Sequence, residues 1–222
     1  MTENREIQCT VDTAQLQRIT EEIGNIAYKA PTILKNASNA TGKFAMKRIK
    51  EGIDKRYDIT SSEEIDLENT IRRKSANYAH PETVINSQSP MTNMTAFYVS
   101  PRIAALKGKR PRVYMGHAVR ITGNKKLIHK GSKAFIVRFG NRHHDNLVYR
   151  VPGEVYTNKQ KLAERRKKKL DITKIMTFKT AAVPFMVSKM FRDNEKDIAK
   201  NLDENVRKEI DRFLKRRQKY DT

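Results

Sequence analysis

The chain has 222 residues, of which 37% are hydrophobic and 32% charged, and its formal net charge is +21. That length supports one well-buried core or two small ones, and the apolar content excludes disorder throughout. The charge predicts a polyanionic partner, either nucleic acid or an acidic protein surface, and says little about fold.

Cys9 is the single cysteine, which excludes an intramolecular disulfide and fits a reducing compartment. Within Ile7-Gln8-Cys9-Thr10-Val11 it is expected as a small buried hydrophobe and not a nucleophile. The N-terminal stretch carries Glu3 and Glu6 without an apolar core, so no signal peptide is expected. No window approaches the length of apolar residues a membrane helix needs. A soluble protein made in the cytoplasm is expected.

Residues 5–11 are expected as a short strand. A helix is expected from Asp12 to Tyr28, because Leu16, Ile19, Ile23 and Ile26 recur at three-and-four spacing. Pro31 opens a second helix reaching Lys55, with Ile33, Ala37, Ala40, Phe44, Ala45, Ile49 and Ile53 as its apolar face. Gly42 inside it costs about 1 kcal/mol relative to Ala. Ser61-Ser62-Glu63-Glu64 reads as a capping box ahead of a short helix. Weak strand signals follow at 70–75 and 83–86, and then a loop from Gln88 leads to Phe97-Tyr98-Val99.

Residues 98–153 hold thirteen Lys or Arg and a single acid, Asp145. Val113, Met115, Val119 and Ile121 are expected on an apolar strand face, alternating with Tyr114, Ala118 and Arg120. Gly123-Asn124 marks a turn. Ala134 to Val151 reads as a hairpin, with Phe135, Val137 and Phe139 on one face and Leu147, Tyr149 and Val151 on the returning strand. Pro152-Gly153 is expected to end the sheet. Lys159–Lys169 contains seven basic residues and one acid, Glu164, and is expected to be partly helical. An extended segment over Ile172, Met176 and Phe178 precedes a helix starting near Pro184, with Met186, Val187, Met190 and Phe191 inward. A last helix from Asp193 or Asn194 to Lys219 carries the stripe Ile198, Leu202, Val206, Ile210, Phe213 and Leu214, with acids first and cations last to suit its dipole.

Helices, then strands, then helices argue for an α+β fold, a small antiparallel sheet packed with long N-terminal and C-terminal helices. A single domain over 1–222 is expected, with an N-terminal helical part 12–66, a basic β-rich part 97–153 and a C-terminal helical part 181–219.

Nothing in the pattern requires an enzyme. Among His80, His117, His129, His143 and His144, only the adjacent pair His143-His144 with Asp145 suggests ligands, and neighbours on a strand point to opposite faces. Gly108-Lys109 and Gly131-Ser132-Lys133 lack the spacing of a phosphate loop. No metal, cofactor or catalytic residue is therefore expected. Tyr98, Tyr114, Phe139 and Tyr149 could stack bases, but alternation assigns most of them to the core.

The order of motifs resembles the phage minor tail protein Z family, the lambda-type tail-completion or neck proteins. Four features carry the likeness: helices ending in Met46-Lys47-Arg48-Ile49-Lys50 and Arg56-Tyr57-Asp58-Ile59, the basic Lys107-Gly108-Lys109-Arg110-Pro111, the hairpin Ala134-Phe135-Ile136…Val148-Tyr149-Arg150, and Thr180-Ala181-Ala182-Val183-Pro184-Phe185-Met186-Val187 before the last helix. Residues 61–100 fit the family pattern poorly, and Lys159–Lys169 is longer and more basic than it. The resemblance implies a structural virion protein assembled in the host cytoplasm. It implies a homo-oligomeric, hexameric ring between tail and head-proximal connector, around the DNA channel. Its partners would be tail terminator or tube proteins and connector proteins, with non-specific contact to genomic DNA and no membrane. The residues expected at interfaces or facing DNA are Lys107, Lys109, Arg110, Arg112, Arg138, Arg142, Arg150, Arg165, Arg166, Lys167, Lys168 and Lys169. The other reading of the same charge is a free-standing, sequence-independent nucleic-acid-binding protein.

Overall fold

The structure is a computed structural model that describes residues 5–10, 29–61, 65–102, 111, 113–120, 126–128, 134–138, 145–180 and 182–218, with 5–10, 138, 217 and 218 given by backbone alone. The fold is α+β, with long helices and small antiparallel sheets. The described chain gathers into two compact units, one from residues 1–54, 66–90 and 182–222, the other from 55–65 and 91–181.

In the first unit, β1 (Arg5–Thr10) and β2 (Ile71–Lys74) both pair antiparallel with β3 (Val84–Ser89), which lies between them. Ile85 and Ser87 of β3 are fully buried, as is Ile71 of β2. Helix α1 (Ala30–Arg56) buries Ile33, Ala37, Ser38, Thr41, Gly42, Ala45, Ile49 and Ile53. This corrects the expected stripe. Ala40 is exposed and Phe44 only half-buried, because the face turns through small residues where the chain at Thr83 packs closely on Gly42. Arg48 lies over the Phe44 ring at the helix surface.

The short helix α2 (Leu67–Thr70) begins later than the capping-box reading placed it. Asp66 is its N-cap and accepts the Asn69 amide at 3.0 Å. Residues 62–64 of that reading lie outside the described residues, as does the expected helix over 12–28. Helix α4 (Val183–Asp193), which follows α3 (Lys159–Lys167) of the second unit, starts with Pro184 in its first turn, where a missing amide costs nothing. It buries Met186, Val187 and Met190. Helix α5 (Glu195–Gln218) sets Leu202 and Val206 against Ile33 and Ala37, with Ile210 and Phe213 alongside. Two amide contacts fix its register on α1: Asn36 donates to Glu209 at 3.0 Å and Asn205 to Thr41 at 3.0 Å.

Among the described residues the second unit holds three small sheets. The first orders β5 (Tyr98–Ser100), β6 (Met115–His117) and β7 (Lys126–Leu127). The second orders β10 (Thr173–Thr177), β9 (Asp145–Val155) and β8 (Ala134–Arg138). The third pairs β11 (Lys179–Thr180) with β4 (Thr92–Asn93). Segment 57–60 runs along the first sheet through bridges Tyr57 to Val119 and Ile59 to Phe97. Val99, Tyr114, Ile136 and Leu147 form its core, packed by Met94, Ile128 and Phe178.

Three sequence expectations change here. The hairpin exists, but Asn146, Leu147 and Val148 are all buried, as are Phe135 and Ile136. Three successive buried residues mean that both faces of the middle of β9 are covered, so alternation fails. Pro152-Gly153 does not end the strand. Gly153 adopts φ +78°, open to glycine at little cost, and the pairing with β10 shifts register there before resuming at Val155. At the start of β6 and just before it the faces are reversed, since Val113 and Met115 are 50% and 38% exposed while Tyr114 and Gly116 are buried.

Candidate polyanion-binding surface

The basic run folds as a helix. Asn158 caps α3 (Lys159–Lys167) by accepting the Lys161 amide at 3.0 Å. The helix ends without a glycine. Lys169 takes φ +50°, its amide bonds Arg166 O at 3.0 Å, and the Leu170 amide bonds Arg165 O at 2.8 Å. That double closure is the Schellman motif, here with a lysine in the left-handed position. No α3 residue is buried. From Glu154 to Lys174 the chain carries eight Lys or Arg and three acids, a surplus of five positive charges.

Each of those acids is already matched. Glu164 meets Lys168 at 2.6 Å, Glu154 meets Lys174 at 2.7 Å, and Asp171 lies 2.9 Å from Arg150. The Lys168 ammonium holds the Glu164 carboxyl below its ordinary range. Hydrogen bonds from Thr173, chiefly, and then the charges of Arg150 and Arg165 do the same for Asp171. Asp171 also binds the helix end through its carbonyl, which accepts from Arg165 Nε at 2.7 Å.

A folded-state pKa below the unfolded one means stability present above the unfolded value and lost as pH falls through the folded one. The Asp171 carboxyl is therefore expected to titrate below 3.8, followed by its side-chain carbon-13 shift. Thr173→Val should raise that midpoint towards 3.8 while keeping both arginines. A midpoint at or above 3.8 in the native chain would contradict this geometry.

A cleft of about 390 Å³ opens beside α3, lined by Tyr156, Lys161, Arg165, Lys168, Leu170 and Ile175, with Glu164 in the same wall. The Arg165 guanidinium sits 5.2 Å from the Tyr156 ring centroid. Lys161, Arg165 and Lys168 are four and three residues apart, which places them on one helix face.

Of the residues expected at an interface or on DNA, Arg165, Arg166, Lys167, Lys168 and Lys169 come together on and after α3. Arg150 is separate and engaged within the chain, beside Asp171 without hydrogen-bond alignment and 5.4 Å from the Phe135 centroid. Arg138 ends β8 opposite Asp145. Lys107, Lys109, Arg110, Arg112 and Arg142 lie outside the described residues. Sequence reasoning missed Tyr156 and left Lys161 out of the site. The helical spacing of Lys161, Arg165 and Lys168 was a usable signal, whereas Tyr156 depends on sheet register.

His117 is placed for structure. Its Nε2 donates to Asp58 at 2.6 Å, and its ring stacks on Tyr98 at 5.1 Å. His129, His143 and His144 lie outside the described residues. Among the described residues, no three His, Cys, Asp or Glu gather to hold a metal, and no helix is long and apolar enough to cross a membrane. Compared with known proteins, the chain matches no family model, no curated protein and no solved structure.

Proposed function

We propose that this chain is a structural virion protein of the phage neck or tail-completion region, forming a hexameric ring that joins tail to head-proximal connector around the DNA channel. The family resemblance of its motif order suggests the role. The observation that carries it is an apolar patch on the β5–β6–β7 sheet, where Met115 pairs in register with Leu127 and both are exposed, beside exposed Val113. A ring closes through heterologous contacts, so one face of each subunit must complement a different face of the next. Apolar side chains clustered on a sheet face suit such a contact, since covering them removes apolar area from water.

The test is assembly. Met115→Asp should leave far-UV circular dichroism unchanged and convert a ring to monomer by sedimentation, with loss of infectivity in complemented particles. A native chain that stays monomeric at every soluble concentration, with infectious particles formed without it, would overturn the proposal. Arg150 is a poor probe because its charge already serves Asp171.

The second reading, a sequence-independent nucleic-acid-binding protein, is favoured by one observation: five cations gather from Arg165 to Lys169. A monomer binding duplex DNA with affinity falling about 10³- to 10⁵-fold between 50 and 200 mM salt would favour it.

A further inference from the structure

We propose that the cleft between α3 and the β9–β10 strands binds a nucleotide unit, with the base against Tyr156 and the phosphate between Lys161 and Lys168. The inference does not depend on ring assembly. A cleft of about 390 Å³ falls at the lower end of small-ligand sites, roughly 300–1,000 Å³, and is far too small for duplex. Its wall divides into two chemistries. Tyr156, Leu170 and Ile175 supply a flat ring and apolar contact, while Lys161, Arg165 and Lys168 supply positive charge.

Aromatic rings among cations are the general means of holding single-stranded nucleic acid, because every base has a π-face and every link a phosphate. Arg165 has a positioning role. Its guanidinium covers the Tyr156 ring and its Nε is bound to the Asp171 carbonyl, which holds the platform in place. The acid in the cleft wall, Glu164, is matched by Lys168. Among the described residues no Asn or Gln lines the cleft, so an adenine edge finds no amide to pair with there. An acidic peptide would use the cations and leave the ring unexplained.

The full chain is titrated by anisotropy with a labelled single-stranded oligonucleotide, the matching duplex, a mononucleotide, tripolyphosphate and polyglutamate. A 5-iodouracil strand is then photo-crosslinked and the adduct mapped by mass spectrometry. Crosslinking at Tyr156 is expected, with Tyr156→Leu weakening single-strand binding at least about fivefold and duplex binding little. The exposed variant Lys161→Gln cannot disrupt a core, and should make the single-strand salt slope shallower by about 0.7, one phosphate contact. Mononucleotide binding that Tyr156→Leu abolishes would identify a free nucleotide as ligand. Its absence, with strand binding kept, would identify the strand. Adducts elsewhere only, an unchanged salt slope, or competition by polyglutamate or tripolyphosphate equal to that of the strand would each overturn the proposal.

Discussion

Phe97→Ala is expected to remove about 3–5 kcal/mol of stability, the range for deleting a buried aromatic ring. Among the described residues Phe97 is the largest fully buried side chain, at 0% exposure. Its backbone is pinned independently of its ring: the amide donates to Met94 O at 3.0 Å, and the carbonyl accepts from Thr60 Oγ1 at 3.1 Å. Those bonds survive truncation, so the loss is one of packing. Domains of ordinary stability hold about 5–15 kcal/mol in total, and the variant would forfeit a large share. With a urea m-value of about 1–3 kcal/mol/M, the midpoint should fall by at least about 1 M. Phe97→Leu should cost much less, because most of the apolar volume stays. Val113→Ala, at a half-exposed site, should move stability by no more than about 0.5 kcal/mol. Equal midpoints for Phe97→Ala and Val113→Ala would mean that Phe97 is not in the core.

The long elements were legible because their signal is redundant. In α5, Ile198, Leu202 and Val206 are buried where the stripe placed them, and Glu195 and Asp197 stand in its first turn. The short strands were legible as strands and not as faces. Val113-Tyr114-Met115 offers apolar side chains to both sides, so the sequence does not say which face goes inward, and a one-residue change in register reverses the answer. Strand β9 hid its central position because alternation describes a strand with one covered face, while Asn146, Leu147 and Val148 are buried in succession and so on both faces. Within the candidate site, the charge run was plain. Its helical end was not, since a left-handed lysine at 169 carries none of the usual glycine signal. Tyr156 reaches the cleft only because the strand carries on through Gly153, a residue that reads as a stop.

Gly42→Ala is expected to destabilise the chain by about 2 kcal/mol, opposite in sign to what helix propensity alone predicts. Replacing a mid-helix glycine with alanine gains about 1 kcal/mol. Against that, the new Cβ would fall inside van der Waals contact with Thr83 Cγ2 and 3.0 Å from Thr83 Cβ. Thr83 has no easy way to yield. It is fully buried, its hydroxyl donates to Ser38 O at 3.0 Å, and a β-branched side chain is stiff at χ1. Overpacking costs about 1–3 kcal/mol. Turning the hydroxyl away from the Ser38 carbonyl adds about 1 kcal/mol or more, so the clash outweighs the propensity. Thr83→Ser removes the obstructing methyl and keeps the donor, at a cost of about 1 kcal/mol by itself. In the double variant the new methyl occupies the room that Cγ2 leaves, and the helix keeps its propensity gain. Chemical denaturation of all four chains should then return a coupling of about 3 kcal/mol, with the double variant close to the native chain. Additive losses, with the double variant the least stable of the four, would mean that α1 and Thr83 are not in contact at Gly42.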